Sequence, residues 1–450
     1  METFVYKDKR NLRCGYTTGT CAALAARAAA FYLAAGIWKE EEEILTPKGT
    51  RVRAKIVHRH TEGGCAVCSV KKDAGDDYDV TDGLLITASV MFLKPDGNDG
   101  AFRTSDRIFI EGGPGVGRVT KAGLDQPVGA SAINSVPRAM ISEAVREVLE
   151  KYGCEKDVKV VISVPKGEEA AKKTFNPVLG IEGGISILGT SGIVEPMSEE
   201  ALTDTIRAHM QVLRAEGRRY AILAPGNMGE NFIKQYLGTK RIPPVVVISN
   251  FVGKSIDMAG ELGFSGVVLA GHIGKLVKLG NGIMNTHSRE GDGRMDTLLS
   301  CGLTAGADRA ALCAIQKANT TEEALSILRE GGVLNKTMEV LCERINGFVK
   351  RRAMDSLKTG VMVFDTGAGL LGTTENAKEL IKAAVAEEVE KTEEKQEAEE
   401  KREKEEKQEA EEKQEAEEKQ EAEEKQEAVK KQEAVKKQAK EVKQDEKDRL

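Results

Sequence analysis

The chain has no excess of positive charge with which to hold a nucleic acid. Residues 387–450 carry 17 Lys+Arg against 26 Asp+Glu, a net −9, while the whole chain carries −6, so residues 1–386 carry +3. Nucleic-acid binding needs a basic face, and a near-neutral body argues against it. No apolar run reaches the ~18 residues of a membrane span. The most apolar early stretch, AALAARAAAFYLAAGIW, begins at Ala22 and is interrupted by Arg27. It reads as a buried Ala-rich helix with Thr18 or Thr20 near its N-cap. The start, METFVYKDKR, has no apolar core, so no targeting segment is read and a cytoplasmic location is expected. Eight cysteines show no pairing regularity, which fits reduced thiols. Cys65 and Cys68 have zinc-type spacing, but no second such pair exists, and two small residues on a strand is the better reading.

What is there divides in three. From Glu393 to Ala428 the hexapeptide EEKQEA recurs and then drifts to VKKQEA. Six residues of helix advance about 600°, so successive alanines (Ala410, Ala416, Ala422) face about 120° apart and no apolar seam forms. A charged tail, helical or disordered, is expected from 387 to 450, supported by i,i+4 pairs such as Glu415 to Lys419. Residues 1–195 mix strand-like runs (RVRAKIV, GLLITASVMF, VKVVISV) with the Ala-rich helix and a second helix from Pro137 to Tyr152, an α+β pattern. Residues 196–386 alternate instead: a helix over Glu199–Gly217, then RYAILAP, GENFIKQYL, PVVVISN, VGKSIDMAGELG and SGVVLAG. Strand and helix alternating across short connections predict an α/β doubly wound, Rossmann-like domain with a parallel sheet.

In such a sheet the ligand crevice lies at the carboxyl ends of the strands. Three strands in succession end in PGNMGE (Pro225–Glu230), SNFVG (Ser249–Gly253) and GHIGK (Gly271–Lys275), each rich in Gly, Asn or His. One such loop serves tight geometry alone; three together favour a small-molecule site. GHIGK is not a Walker loop, because its spacer is two residues and Leu276 follows the lysine. His272, His287 and Asp292 offer zinc-type ligands without a compact motif such as H-E-x-x-H. GAGLLG (Gly367–Gly372) matches G-x-G-x-x-G, but a hairpin turning at Asp365–Gly367 is the better reading than a dinucleotide fingerprint. A PGNMG turn beside polar strand ends suits a nucleoside-bearing cofactor without a pyrophosphate, a description S-adenosyl-L-methionine meets.

The first half adds anion-binding candidates. YTTGTCAA (Tyr16–Ala23) sets Thr17 and Thr18 at a helix start, where backbone N–H groups attract anions. KKDAGDDYDVTDG (Lys71–Gly83) packs five aspartates around two lysines; Asp79 and Asp82 read as a solvated turn. EGGPGVGRVTKAGL (Glu111–Leu124) is a glycine loop carrying Arg118 and Lys121, suited to a carboxylate-rich substrate. TFNPVLGIEGGISILGTSGIVEP (Thr174–Pro196) reads as a close-packed junction between domains.

LRCGYTTGTCAALAA, KDAGDDYDVTDG, EGGPGVGRVTKAGLDQPVG, NPVLGIEGGISILGTSGIVEPMS, NFVGKSIDMAGELGF and GHIGKLVKLGNGIMNTHS, in that order, resemble the CbiD family, the cobalt-precorrin-5B C(1)-methyltransferases of anaerobic cobalamin biosynthesis. The likeness runs from about residue 9 to 375. The tail departs from the family, as does Cys14, where a residue such as Thr is expected. The resemblance implies a CbiD-like two-domain fold, S-adenosyl-L-methionine as methyl donor, and a cobalt-bearing tetrapyrrole as acceptor. It implies no protein-bound metal, since the cobalt is the substrate's; it leaves a homo-oligomer open. Mapped on the motifs, Gly226, Asn227, Gly229, Asn250, Gly271 and Gly274 are expected at the donor. Thr17, Thr18, Lys71, Asp73, Arg118, Lys121 and Lys275 are expected at the macrocycle, with His272 and His287 as candidate bases. A non-catalytic tetrapyrrole carrier is the alternative reading.

Overall fold

The computed structural model describes residues 3–7, 9–93, 103–105, 107–238 and 241–394, with scattered positions between 396 and 431. Two compact units result, 1–384 and 385–450. In the second, residues 385–394 are helical, and most of the hexapeptide repeat lies outside the described residues. Among the described residues no helix is long and apolar enough to cross a membrane.

The first unit holds two large apolar cores, one drawn from residues between Cys14 and Ile193 and the other from residues between Ile206 and Val363, beside a small cluster of Val119, Ala132, Leu179 and Ile181. The first core is a helix layer on a sheet. Helix α1 (Thr18–Ala35) and helix α2 (Ser135–Lys151) pack on each other, and α1 packs on the sheet. The sheet contains β1 (Glu41–Leu45), β2 (Arg51–Glu62), β3 (Cys65–Lys71), β4 (Leu85–Phe92), β5 (Arg103–Ser105), β6 (Ile108–Gly112) and β7 (Val158–Ser163), in the order β1-β2-β3-β4-β7-β6-β5. Every pairing is antiparallel except β7 with β6. Alternation along β7 (VKVVIS) buries Val158, Val160 and Ile162 on one face. Ala22, Ala23, Ala25 and Ala26 of α1 are wholly buried, and small side chains let that helix sit close to its neighbours.

The second core surrounds a five-stranded sheet. Helix α3 (Glu199–Ala215) leads into β8 (Tyr220–Ala224), α4 (Asn227–Leu237), β9 (Val245–Val247), α5 (Val252–Glu261) and β10 (Gly266–His272). The sequence pattern does not foretell the next part. Between β10 and its parallel neighbour β11 (Lys358–Asp365) run four helices: α6 (Arg294–Ala305), α7 (Arg309–Lys317), α8 (Thr321–Glu330) and α9 (Leu334–Ala353). The spacing of Met338, Leu341, Ile345 and Val349 on α9 buries one stripe of it in this core. β11 then turns back as an antiparallel hairpin into β12 (Gly369–Thr373), with Asp365 Oδ2 accepting from the Gly367 and Ala368 N–H groups, both at 3.0 Å. GAGLLG is therefore a hairpin and not a nucleotide loop. Strand order is β9-β8-β10-β11-β12, with β8 to β11 parallel. The direction of winding reverses at β8, so the switch point lies between β8 and β10.

Candidate functional site

The turns after β8, β9 and β10 meet at that switch point. Gly226 caps α4 with φ +92° and ψ 168°, a conformation closed to L side chains, and among the described residues no side chain caps the helix start. A Cβ on Gly226 would stand 3.5 Å from Lys275 Nζ. Lys275 itself sits in the single helical turn Ile273–Leu276 and donates to Asn250 Oδ1 at 3.1 Å. The same oxygen accepts from Thr286 Oγ1 at 3.1 Å, and the Thr286 N–H bonds the Asn250 carbonyl at 3.0 Å. Ser249, just before, takes a left-handed φ of 51°, a strained state for serine that aims Asn250 at the lysine. Burial and the neighbouring Lys278 hold the Lys275 ammonium below its ordinary pKa. A half-buried cation beside an open helix start is a place for a carboxylate.

The other expected glycines do different work. A Cβ on Gly229 would meet Ala224 Cβ at 2.6 Å and the Ala270 carbonyl at 2.8 Å, so this glycine seats α4 on β8 and β10. Gly271 is pressed on Leu276, and a Cβ there would stand 2.8 Å from its Cγ. Asn227 opens α4 and is exposed.

His272 ends β10. The Gly274 N–H donates to His272 Nδ1 at 3.1 Å, so the imidazole caps the Ile273–Leu276 turn. Nε2 stands 3.4 Å from Asp365 Oδ1, and the ring lies edge-on to Phe364. Glu322, at the start of α8, completes a trio whose ligating atoms all fall within 4.8 Å of one another. Because Nδ1 accepts, the neutral ring carries its proton on Nε2, the atom facing the carboxylates. Nε2 thus faces Asp365 at 3.4 Å, with the Glu322 carboxylate close by. Burial raises the Asp365 carboxyl, but the Ala368 and Gly367 N–H groups and His272 outweigh it and keep it below the usual range. Glu322 is lowered chiefly by a backbone N–H and by the Thr320 and Thr321 hydroxyls. The sequence offered one signal for Asp365, an acid closing the strand VMVFD; Glu322 comes from a helix the pattern reading did not resolve. His287 is exposed, and its Nδ1 accepts from the Arg289 N–H at 3.2 Å. Asp292 is held by Arg294 (Nε to Oδ1, 2.5 Å), and among the described residues His272, His287 and Asp292 do not form a ligand group.

The first-half candidates are largely spent on structure. Thr17, not Thr18 or Thr20, caps α1, accepting from the Thr20 N–H at 3.2 Å. Thr18 Oγ1 accepts from the Leu188 N–H at 2.9 Å, and Thr20 Oγ1 donates to the Gly192 carbonyl at 2.7 Å. All three threonines are buried, so this helix start is a joint with the 186–192 loop and not an open anion seat. Arg13 grips Asp73 through two nitrogens at 2.7 and 2.8 Å, which lowers the carboxyl. Lys71 is exposed. Asp79 is no solvated turn residue: it pairs at 2.7 Å with Lys72, whose side chain is 1% exposed. Asp82 accepts from the Ala74 N–H. Arg118 bonds the Gly129 carbonyl and Glu111, and Lys121 pairs with Glu216 at 3.0 Å. Lys121 thereby ties its glycine loop to the end of α3.

Profiles of known families match on both sides of this site: CbiD over residues 5–196, and the CbiD C-terminal domain over residues 285–375. A protein of Ruminiclostridium cellulolyticum named cobalt-precorrin-5B C(1)-methyltransferase is 45% identical over 364 residues, 81% of this chain and 92% of that protein. The chain belongs to the CbiD family. A second CbiD relative with the same name, from Alkaliphilus metalliredigens, is 40% identical over 390 residues, 87% of this chain and 100% of the relative. A crystal structure of a cobalamin biosynthesis protein (cbiD) from Archaeoglobus fulgidus is 24% identical, with a TM-score of 0.33 over 73% of this chain and 88% of that one.

Proposed function

We propose that this CbiD chain transfers a methyl group from S-adenosyl-L-methionine to C(1) of cobalt-precorrin-5B, giving cobalt-precorrin-6A in the anaerobic route to cobalamin. The names of its relatives supply the reaction class. The observation that carries the site is the meeting of Gly226, Asn250 and Lys275 at the carboxyl ends of the parallel strands β8, β9 and β10, in a sheet we read as doubly wound and Rossmann-like. A zwitterionic donor with a carboxylate and a nucleoside suits an open helix start beside a half-buried ammonium. Bound there, the donor supplies an electrophilic sulfonium methyl.

The chain's own residues align and desolvate rather than pull protons. Gly226 leaves room for close approach, Asn250 aims Lys275, and Lys275 seats a carboxylate of the donor or of the macrocycle. His272 is a positioning residue in this reading, because both ring nitrogens have partners within the protein. Asp365 and Glu322 fix its tautomer, and His272 fixes the turn that carries Lys275. His287, exposed, is left to meet the macrocycle as a hydrogen-bond donor. Holding the two reactants in line and dry accounts for the acceleration. The partner expected is the tetrapyrrole, the location cytoplasmic.

The test is incubation of the full chain with cobalt-precorrin-5B and methyl-labelled S-adenosyl-L-methionine. Label in the macrocycle at C(1) is expected. A folded protein that binds the tetrapyrrole but transfers no label is a carrier, and the proposal fails.

A further inference from the structure

Behind the Lys275–Asn250 contact lies a second ammonium that the reaction scheme leaves unused. Lys278 stands three residues after Lys275, in the 3₁₀ turn Val277–Asn281. It is 6% exposed. Its Nζ donates to the Thr286 carbonyl at 3.1 Å. Thr286 is also the residue whose hydroxyl shares Asn250 Oδ1 with Lys275. Both lysines therefore end on one small network, Asn250 and Thr286, and each meets a neutral oxygen there.

Counter-charge for the two ammoniums is missing among the described residues. Burial and the charge of Lys278 act on Lys275, and no carboxylate does. The acid that feels Lys278 is Asp292. Its two oxygens are already taken by Arg294, Nε to Oδ1 at 2.5 Å and Nη2 to Oδ2 at 2.8 Å. Burying an ammonium away from an opposite charge is expensive, and two on one network repel. Packing gives no reason to keep the second, since an uncharged chain of the same length would fill its place. The start of α4 adds the partial positive charge of its N–H groups, with Gly226 beside Lys275 Nζ. Positive potential concentrated in this way suits a ligand that brings negative charge.

The two reactants differ in the sign of their charge. S-adenosyl-L-methionine carries a sulfonium and an ammonium against one carboxylate, so it is a net cation. The tetrapyrrole carries carboxylate arms on its rim. Two cations in low-dielectric surroundings draw in the second and repel the first, at distances longer than a contact. Lys278 has no need to touch the ligand. Lys275, half-buried, makes the contact, and the charge of Lys278 acts across it.

Resting on the methyl-transfer reading above, we propose that Lys278 is a specificity-determining residue, whose buried charge turns the seat at Lys275 toward the carboxylate arms of the macrocycle and away from the sulfonium donor. The test is equilibrium binding to the full chain. Cobalt-precorrin-5B is titrated by absorbance without donor, and S-adenosyl-L-methionine and S-adenosylhomocysteine by calorimetry. Lys278→Gln keeps an N–H donor for the Thr286 carbonyl and removes the charge; Lys278→Arg keeps both. Lys278→Gln is expected to weaken the tetrapyrrole by about tenfold or more, the loss of one nearby charge. Both adenosyl ligands should bind it at least as tightly as they bind wild type. Lys278→Arg should hold the tetrapyrrole within about threefold. Unchanged tetrapyrrole affinity in folded Lys278→Gln overturns the proposal. Equal losses in the glutamine and arginine variants make Lys278 a packing residue and overturn it too. Weakened adenosyl binding in Lys278→Gln would give the seat to the donor. Should Lys278→Arg not fold, salt carries the test: added salt should weaken the tetrapyrrole more steeply for wild type than for Lys278→Gln, and equal slopes overturn the role. Failure of the methyl-transfer reading shows separately, as absence of label in the macrocycle with wild type, because these titrations need no turnover.

Discussion

His272 separates two roles for one side chain. As a cap it needs only an acceptor at the turn's start, and asparagine is a good one. His272→Asn should therefore keep kcat within about threefold, whereas His272→Ala, which uncaps the turn carrying Lys275, should lose about 0.5–2 kcal/mol of stability as well as activity. A general base would tolerate neither change and would lose about 10²-fold or more in kcat. Steady-state kinetics on the two variants decide between them; equal, deep losses restore the base. Lys275→Ala should cost on the order of 1.5–3 kcal/mol in affinity for whichever reactant brings the carboxylate. Calorimetry with S-adenosylhomocysteine and the KM for the tetrapyrrole say which. Gly226→Val should weaken S-adenosylhomocysteine by the same calorimetry, since the φ of +92° excludes valine and its side chain fills the approach. Undiminished affinity in a folded Gly226→Val would remove this turn from the site.

Among the elements, α3 carries a pH-sensitive group. His209 lies on it, with Lys121, Glu216 and Glu230 around it. Burial, then the charge of Lys121, push its pKa down from 6.5 to about 4. A base held neutral in the fold is protonated sooner in the unfolded chain, so the unfolded state binds more protons between those two values. Stability is then full above pH 6.5 and falls as pH drops toward 4. The loss should be about 1–2 kcal/mol after allowing for partial solvent contact. Urea melts at pH 7 and pH 5 should show it, and His209→Gln should flatten the difference; an unchanged slope in that variant would put the effect elsewhere. The Lys72–Asp79 pair joins the end of β3 to the loop before β4. Lys72→Met leaves a largely buried carboxylate alone and should cost about 3–5 kcal/mol, while replacing both partners with apolar residues should recover most of that. Burial raises Asp79, but Lys72 and Thr81 outweigh it and the carboxyl stays low. This contribution is present above the ordinary carboxylate pKa of about 4 and lost as pH falls below it.

At the scale of the molecule, the compact unit ends at Ala384 and carries every residue assigned here to the site. Removing residues 395–450 should leave methyl transfer and the melting temperature unchanged, since the hexapeptide repeat presents no apolar face with which to join a core. A fall in turnover at equal folded concentration would give the tail a role in the reaction.

What the sequence determined alone is local and periodic. Apolar runs of four to six residues set between amphipathic spans specified β8, β9 and β10 and their helices. Gly226 marked a turn because its backbone conformation is closed to other residues. The motif order from about residue 9 to 375 was enough to mark the family. The hairpin at Asp365 was legible because a strand followed by a Gly-rich pair and two leucines has nowhere else to go. Which polar side chains are spent inside the protein was decided only by tertiary structure. Thr17 and Thr18 read as an anion seat at a helix start until the 186–192 loop closes on them, and Asp79 read as solvated until Lys72 is buried beneath it. His272 reads as a candidate base from its loop alone; the carboxylates of Asp365 and Glu322, brought near it by β11 and α8 from roughly 50 to 90 residues downstream, are neighbours that the loop does not announce. A side chain's chemistry depends on which neighbours compete for its lone pairs, and those neighbours are distant in the chain.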